Sequence, residues 1–196
     1  MEIEYEDIYV RAARIGFVDP VTGLPPGDER TISALICIFH LHNRIDWEKV
    51  DLLDTKCQTT GSKASEIFSV PGALCSEYPL FWASTEDCNA FGEMRPDYLY
   101  IARDLSLTAI LENKFGAGDT HAGDGYGGQF GRYIKYLKQS SSKHKYMVVI
   151  SSRFYLEKEP PWYASELSLA EDIQSSSVNI KSRIIRIEDI LDAFSR

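Results

Sequence analysis

Two strands are written into Arg95-Pro-Asp-Tyr-Leu-Tyr-Ile-Ala-Arg-Asp-Leu-Ser-Leu-Thr-Ala-Ile-Leu-Glu-Asn-Lys114. Asp97 to Ile101 and Leu107 to Lys114 are rich in aromatic and branched residues, and Arg103 to Ser106 makes a polar turn between them. Side chains alternate along a strand, so Thr108, Ile110, Glu112 and Lys114 share one face, and Ala109, Leu111 and Asn113 the other. A carboxylate and an ammonium therefore stand side by side at the end of a hydrophobic strand. A hairpin from 97 to 114 brings Asp97 beside Glu112. Two carboxylates and a backbone carbonyl suit a hard cation, Mg²⁺ or Mn²⁺. Water on such a cation ionises more readily and can attack phosphorus. Lys114 is placed to orient or deprotonate that water, or to neutralise charge in the transition state. The plain alternative is a surface salt bridge on a strand. Similar spacing occurs in Asp54-Thr55-Lys56 with Asp46 upstream, but no strand-like run precedes it.

Downstream, Gly116 to Gly128 holds six glycines. It either closes over a phosphate backbone, with His121 donating to a phosphate, or simply links strand to helix. It is no P-loop, since no Gly-Lys-Ser/Thr follows, and its Asp spacing is not that of an EF-hand. A helix is expected from Gln129 to Gln139. It places Gln129 and Tyr133 on one face, Phe130, Ile134 and Leu137 on the core stripe, and Arg132, Lys135 and Lys138 on the remainder. From Lys114 to Lys145 six Lys/Arg face only Asp119 and Asp124, a local surplus of +4 that would attract a polyphosphate, or else a solvated helix face. Tyr146 to Ser151 is a near-continuous apolar run and reads as a buried strand. One more strand (Ile184 to Ile187) and a short helix (Glu188 to Phe194) follow. Among the aromatics, Pro160-Pro161-Trp162-Tyr163 could stack on bases.

Upstream, residues 3–15 read as a helix with Tyr5, Ile8, Ala12 and Ile15 on one face, stopped by Gly16. A stronger helix spans about Glu29 to His42, with Asp28 as N-cap and Ile32, Leu35, Ile36 and Phe39 as its stripe. Residues 50–90 mix turn residues with aromatics and keep no period. The order of elements predicts an α/β protein, a mixed central sheet flanked by helices. A single domain over 1–196 is expected, with its core at about 28–43 and 91–150, an insertion at 44–90 and a C-terminal extension at 151–196.

With 196 residues, 44% hydrophobic and 26% charged, the chain can bury a real core and is not a disordered polymer. No apolar run is long enough to span a bilayer, and the acidic start is no secretory signal. Cys37, Cys57, Cys75 and Cys88 form no CxxC pair, and reduced thiols in a cytoplasmic protein are expected. The net charge of −8 lies wholly in residues 1–90, with 15 acids against 7 Lys/Arg; residues 91–196 carry 14 of each. Polyanion binding must therefore come from the second half.

Asp97 after Pro96, then Glu112-Asn113-Lys114, then a helix carrying Gln129 and Tyr133, resembles the PD-(D/E)XK nuclease superfamily, most strongly over residues 95–150. The Gln-x-x-x-Tyr element is similar to that of RecB-like and phage-defence branches. The resemblance implies a restriction-endonuclease-like core and a Mg²⁺- or Mn²⁺-dependent phosphodiesterase. Asp97 and Glu112 would be metal ligands, Asn113 would lend its carbonyl, and Lys114 would be the catalytic lysine, with Gln129 and Tyr133 beside it. A further acidic ligand is expected from the first core helix, Glu29, with Glu93 as second choice. DNA is expected over RNA, cut to leave a 5′-phosphate, with a homo-oligomer or a larger protein partner and a role in phage defence. The alternative is a catalytically silent nuclease-like module that binds DNA or a protein.

Overall fold

The computed structural model describes residues 6–82, 84–115, 128–158 and 179–195. The helices are α1 (Ile8–Ile15), α2 (Glu29–Leu41), α3 (Ser65–Phe68), α4 (Thr85–Phe91), α5 (Gly128–Gln139), α6 (Arg153–Lys158) and α7 (Ile187–Asp192). The strands are β1 (Asp51–Leu53), β2 (Thr59–Lys63), β3 (Gly72–Ser76), β4 (Tyr98–Ala102), β5 (Leu107–Lys114), β6 (His144–Ser151) and β7 (Ile180–Arg186). The strands form one mixed sheet in the order β2-β1-β7-β6-β5-β4-β3, with helices on its faces. This is the α/β architecture expected from the order of elements. β5, β6 and β7 run parallel, while the remaining pairings are antiparallel.

β5 sits inside this sheet, and all eight of its residues are buried. Its alternation divides the core as expected. Ala109 and Leu111 belong to a cluster with Ile32, Leu35 and Ile36 of α2. Ile110 belongs to a second cluster with Phe130, Tyr133, Ile134 and Leu137 of α5. α2 starts on a capping box between Asp28 and Thr31, so this helix has a fixed first turn. α1 ends on Gly16 in the left-handed conformation (φ 75), as the sequence implies; its Ile8 and Ala12 are buried, and Tyr5 lies outside the described residues.

Residues 44–90, taken from the sequence as an insertion, supply strands to both edges of the sheet. β1 and β2 extend it beyond β7, and β3 pairs with β4 over five residues. The last strand begins four residues earlier than expected, at Ile180, because its outer face is polar (Lys181, Arg183) and hides the strand period. Cys37, Cys57 and Cys75 are free thiols, and the side chain of Cys88 lies outside the described residues. Trp47 is stacked on Phe68 with ring centroids 4.1 Å apart. His40 Nδ1 accepts from the Trp47 indole N–H (3.0 Å), and burial lowers its pKa. No helix among the described residues is long and apolar enough to cross a membrane.

A buried tie fastens α2 to β5. Asn113 Nδ2 donates to Ser33 Oγ (2.8 Å) and to Tyr98 OH (3.3 Å), and Ser33 Oγ donates to Glu29 C=O (2.9 Å). A buried donor that loses its acceptor pays its desolvation without return. Ser33→Ala is therefore expected to cost roughly 1–3 kcal/mol, read as a lowered urea midpoint by circular dichroism. An unchanged midpoint would show that Asn113 is satisfied without α2.

Candidate active site

The ladder between β4 and β5 ends at Tyr98 opposite Leu111, so Asp97 comes next to Glu112 one step beyond it. The two residues are joined by more than proximity. Asn113 N–H donates to Asp97 Oδ2 (2.7 Å), and Asp97 N–H reaches Glu112 Oε2 (3.3 Å). In an extended strand a residue's N–H and C=O point to the same side. The Asn113 carbonyl therefore faces the Asp97 side of β5, as the expected donor set requires.

Lys114 lies two residues along the same face. Its Nζ donates to Glu112 Oε1 (3.2 Å) and to Gln129 Oε1 (3.0 Å), and it stands 5.9 Å from the centroid of the Phe130 ring. Gln129 Nε2 donates to Glu112 Oε1 (2.7 Å) and to Tyr133 OH (2.9 Å). Tyr133 OH donates to Glu112 Oε2 (3.2 Å). The i, i+4 spacing on α5 thus brings both polar groups onto one carboxylate. Asp97, Glu112, Lys114, Gln129 and Tyr133 form one connected network drawn from the start of β4, the end of β5 and the start of α5.

Glu112 and Lys114 are 5% and 7% exposed, so the ion pair is a buried one. Burial pushes the Asp97 carboxyl up to about 7, and the charge of Glu112 pushes the same way. Burial also raises Glu112, although Lys114, Gln129 and the Asp97 amide pull it down. Tyr133 is driven upward by burial first and by Glu112 second, so it remains a donor. Lys114 is the counter-charge to Glu112 and also lowers Asp97, but by less than burial and the charge of Glu112 raise it.

Asp97 Oδ1 accepts no hydrogen bond from the described residues, whereas both oxygens of Glu112 already accept. Among the described residues no group of three or more His, Cys, Asp or Glu is gathered as a metal site. The donors present, Asp97, Glu112 and the Asn113 carbonyl, fit a hard divalent cation that keeps several waters.

Glu29 is half-buried at the start of α2, and its charge contributes to the rise of Asp97. It lines a cleft of about 360 Å³ together with Tyr9, Phe115, Ser152, Tyr155 and Glu188. That cleft adjoins the carboxylates through Glu29 and Phe115 but is not lined by Asp97, Glu112 or Lys114. Glu93 is set aside: its carboxylate is exposed and pairs with Arg95. The similar spacing upstream is spent on turns, with Asp54 accepting from Lys56 N–H and Gln58 N–H (both 2.9 Å) and Asp46 capping a short 3₁₀ turn.

The basic surplus is partly consumed. Lys135 pairs with Asp87 of α4 (2.6 Å), Lys145 is buried, and Lys114 belongs to the network. Arg132 and Lys138 are half-buried on α5, and Lys143 is exposed. His121, the glycine-rich loop through Gly127 and residues 160–163 lie outside the described residues. Ser33 and Tyr98, which seat Asn113, were not singled out in the sequence. The available signal was a serine within the apolar stripe of α2. Comparison with protein-family models, with curated proteins and with solved structures finds no match to this chain.

The raised Asp97 makes stability fall with pH. At pH values below the usual aspartate range both folded and unfolded states hold the proton. Between that range and about 7 the unfolded chain releases it while the folded chain keeps it, so stability declines across this window and levels off above it. In metal-free urea titrations from pH 4.5 to 8, Asp97→Asn is expected to flatten this decline, and a divalent cation is expected to offset it in the wild type. Parallel profiles for the two proteins would contradict the raised carboxyl.

Proposed function

We propose that this chain is a divalent-metal-dependent phosphodiesterase acting on nucleic acid, with DNA favoured and phage defence as a setting. The observation that carries the reading is the convergence of Asp97, Glu112 and Lys114 at one end of the sheet, with Gln129 and Tyr133 bonded to the same carboxylate. Asp97, Glu112 and the Asn113 carbonyl would hold Mg²⁺ or Mn²⁺, with Glu29 as a further carboxylate from α2. A divalent ion supplies Lewis acidity toward water and toward the phosphate oxygens.

The chain's own groups do the positioning. Gln129 and Tyr133 fix the plane of the Glu112 carboxylate. Glu112 and Gln129 hold the Lys114 ammonium by two acceptors, so its charge is preorganised for a phosphate whose negative charge grows in the transition state. The apolar floor under it (Ile110, Phe130) weakens screening by water and strengthens that interaction. Lys138 and Lys143 would meet the backbone of a polymer with Arg132 of the same helix as Lys138, while Lys135 would first have to leave Asp87.

The silent-module reading draws on one specific observation: both Glu112 oxygens are occupied by the chain's own donors. Metal binding separates the two readings. Isothermal titration with Mn²⁺ should show binding that Asp97→Ala abolishes. With plasmid and single-stranded DNA in Mg²⁺ or Mn²⁺, Glu112→Ala and Lys114→Ala are expected to lose at least about 10²–10³-fold in cleavage rate while keeping the wild-type circular dichroism spectrum. Equal cleavage by variants and wild type would remove the assignment.

A further inference from the structure

We propose that the segment after β3 is a stacking platform for unpaired bases, so that the site takes single-stranded or frayed nucleic acid in preference to intact duplex. The identity of the polymer rests on the phosphodiesterase reading above; the platform rests on the following geometry. β3 ends at Ser76, opposite Tyr98. Glu77 then turns the chain off the sheet in the left-handed region (φ 48), a conformation that costs a glutamate energy and marks a held turn. Its N–H donates to Asp97 C=O (3.2 Å), and Leu80 N–H donates to Met94 C=O (2.9 Å). The segment is therefore fastened to the same short run of chain that delivers Asp97 to the site.

Aromatic rings stand on this fastened segment. Tyr78 and Phe81 meet edge to face with centroids 6.0 Å apart, and they are 38% and 69% exposed. Leu80 between them is buried in the α5-side core, which anchors the backbone and turns Phe81 outward. Trp82 donates its indole N–H to Gly92 C=O (2.9 Å) and meets Tyr136 edge to face at 5.9 Å. Tyr136 lies three residues beyond Tyr133, the residue whose hydroxyl bonds Glu112. The rings form two edge-to-face pairs, Tyr78 with Phe81 and Trp82 with Tyr136, and Phe81 is the barer of the first pair. Arg30, 82% exposed in its side chain, is tethered beside them on Glu77 (2.9 Å).

A bare, rigidly mounted ring offers a π-face to a base that has left its own stack; bases inside a duplex already cover one another. Stacking tolerates any base, so it would give affinity for unpaired strand without sequence preference. Arg30 is already paired with Glu77 and the platform lies in the acidic first half of the chain, so it would hold a strand by stacking and not by the charge that the sequence places in the second half. A protein seated on the same rings is the competing occupant.

The test uses the full chain with Ca²⁺ in place of Mg²⁺. Two probes of one sequence, a fluorescein-labelled 20-nucleotide single strand and its blunt duplex, are titrated by anisotropy, and a 2-aminopurine single strand reports stacking by its fluorescence. Tighter binding of the single strand is expected. Phe81→Ala should weaken it about 5- to 100-fold and abolish the 2-aminopurine response. Phe81→Trp should retain both, and duplex binding should be unchanged in all three proteins.

Single-strand affinity unaffected by Phe81→Ala, duplex bound as tightly as single strand, or no binding of either probe would overturn the platform. The two readings fail separately. Phe81-dependent stacking with no cleavage by wild type in Mg²⁺ or Mn²⁺ keeps the platform and removes the catalysis. Glu112-dependent cleavage with Phe81→Ala binding like wild type does the reverse.

Discussion

A carboxylate buried at the end of a hydrophobic strand has to be answered by donors, and at Glu112 they come from three directions. Lys114 reaches it along the same strand face, the Asp97 amide across the sheet, and Gln129 and Tyr133 from the helix above. An isolated carboxylate in such surroundings would be protonated or would unfold the site. Each donor is therefore also a constraint on fold. Lys114 fixes the strand face, Asp97 fixes the β4–β5 register, and the Gln129–Tyr133 pair fixes how α5 lies across the sheet. A buried ionic cluster of this kind adds little to stability, but an element that shifts breaks several charge-assisted bonds at once.

The opposite face of β5 repeats the device with neutral groups. Asn113 points toward α2 and is met by Ser33 and Tyr98. Its Oδ1 is buried without a partner among the described residues, so one acceptor remains that a buried water could satisfy. Three consecutive residues, Glu112, Asn113 and Lys114, thus pin helices on both sides of the sheet. The same backbone N–H of Asn113 that would have paired with a longer β4 is given to the Asp97 side chain instead. The early end of that ladder creates the site: if β4 and β5 paired further, Asp97 would have no amide to accept and the Asn113 carbonyl would be covered.

Where one face of a strand or helix carries its own period, the chain could be read directly. The two faces of β5, the Gln129–Tyr133 spacing and the Asp28 cap all lie within one element, and the local pattern suffices. The nearness of Asp97 to Glu112 needed only a hairpin with a short turn. The remaining strands were hidden because their pairing is remote. β1 is three residues long and meets β7 at Leu53 and Ile184. β2 is Thr-Thr-Gly-Ser-Lys, whose edge position leaves it polar and without a buried face to set a period. The partner of Lys135 was equally hidden, since Asp87 comes from α4, forty-eight residues away in the chain.

Charge makes the same point at the level of function. Counting lysines and arginines from 114 to 145 gives a basic patch, but folding sends those residues to different fates: Lys114 into the core network, Lys145 into a buried strand position, Lys135 to Asp87. A neighbouring cleft adds Glu6, Asp7, Glu29 and Glu188. The region beside the carboxylates is thus closer to electroneutral than the sequence segment suggests, and a duplex with two charged backbones would gain little from it by attraction alone. Beside this near-neutral region the fold presents apolar ring surface, the Tyr78–Phe81 pair on a segment fastened to the backbone of Asp97, with Phe81 the more exposed of the two.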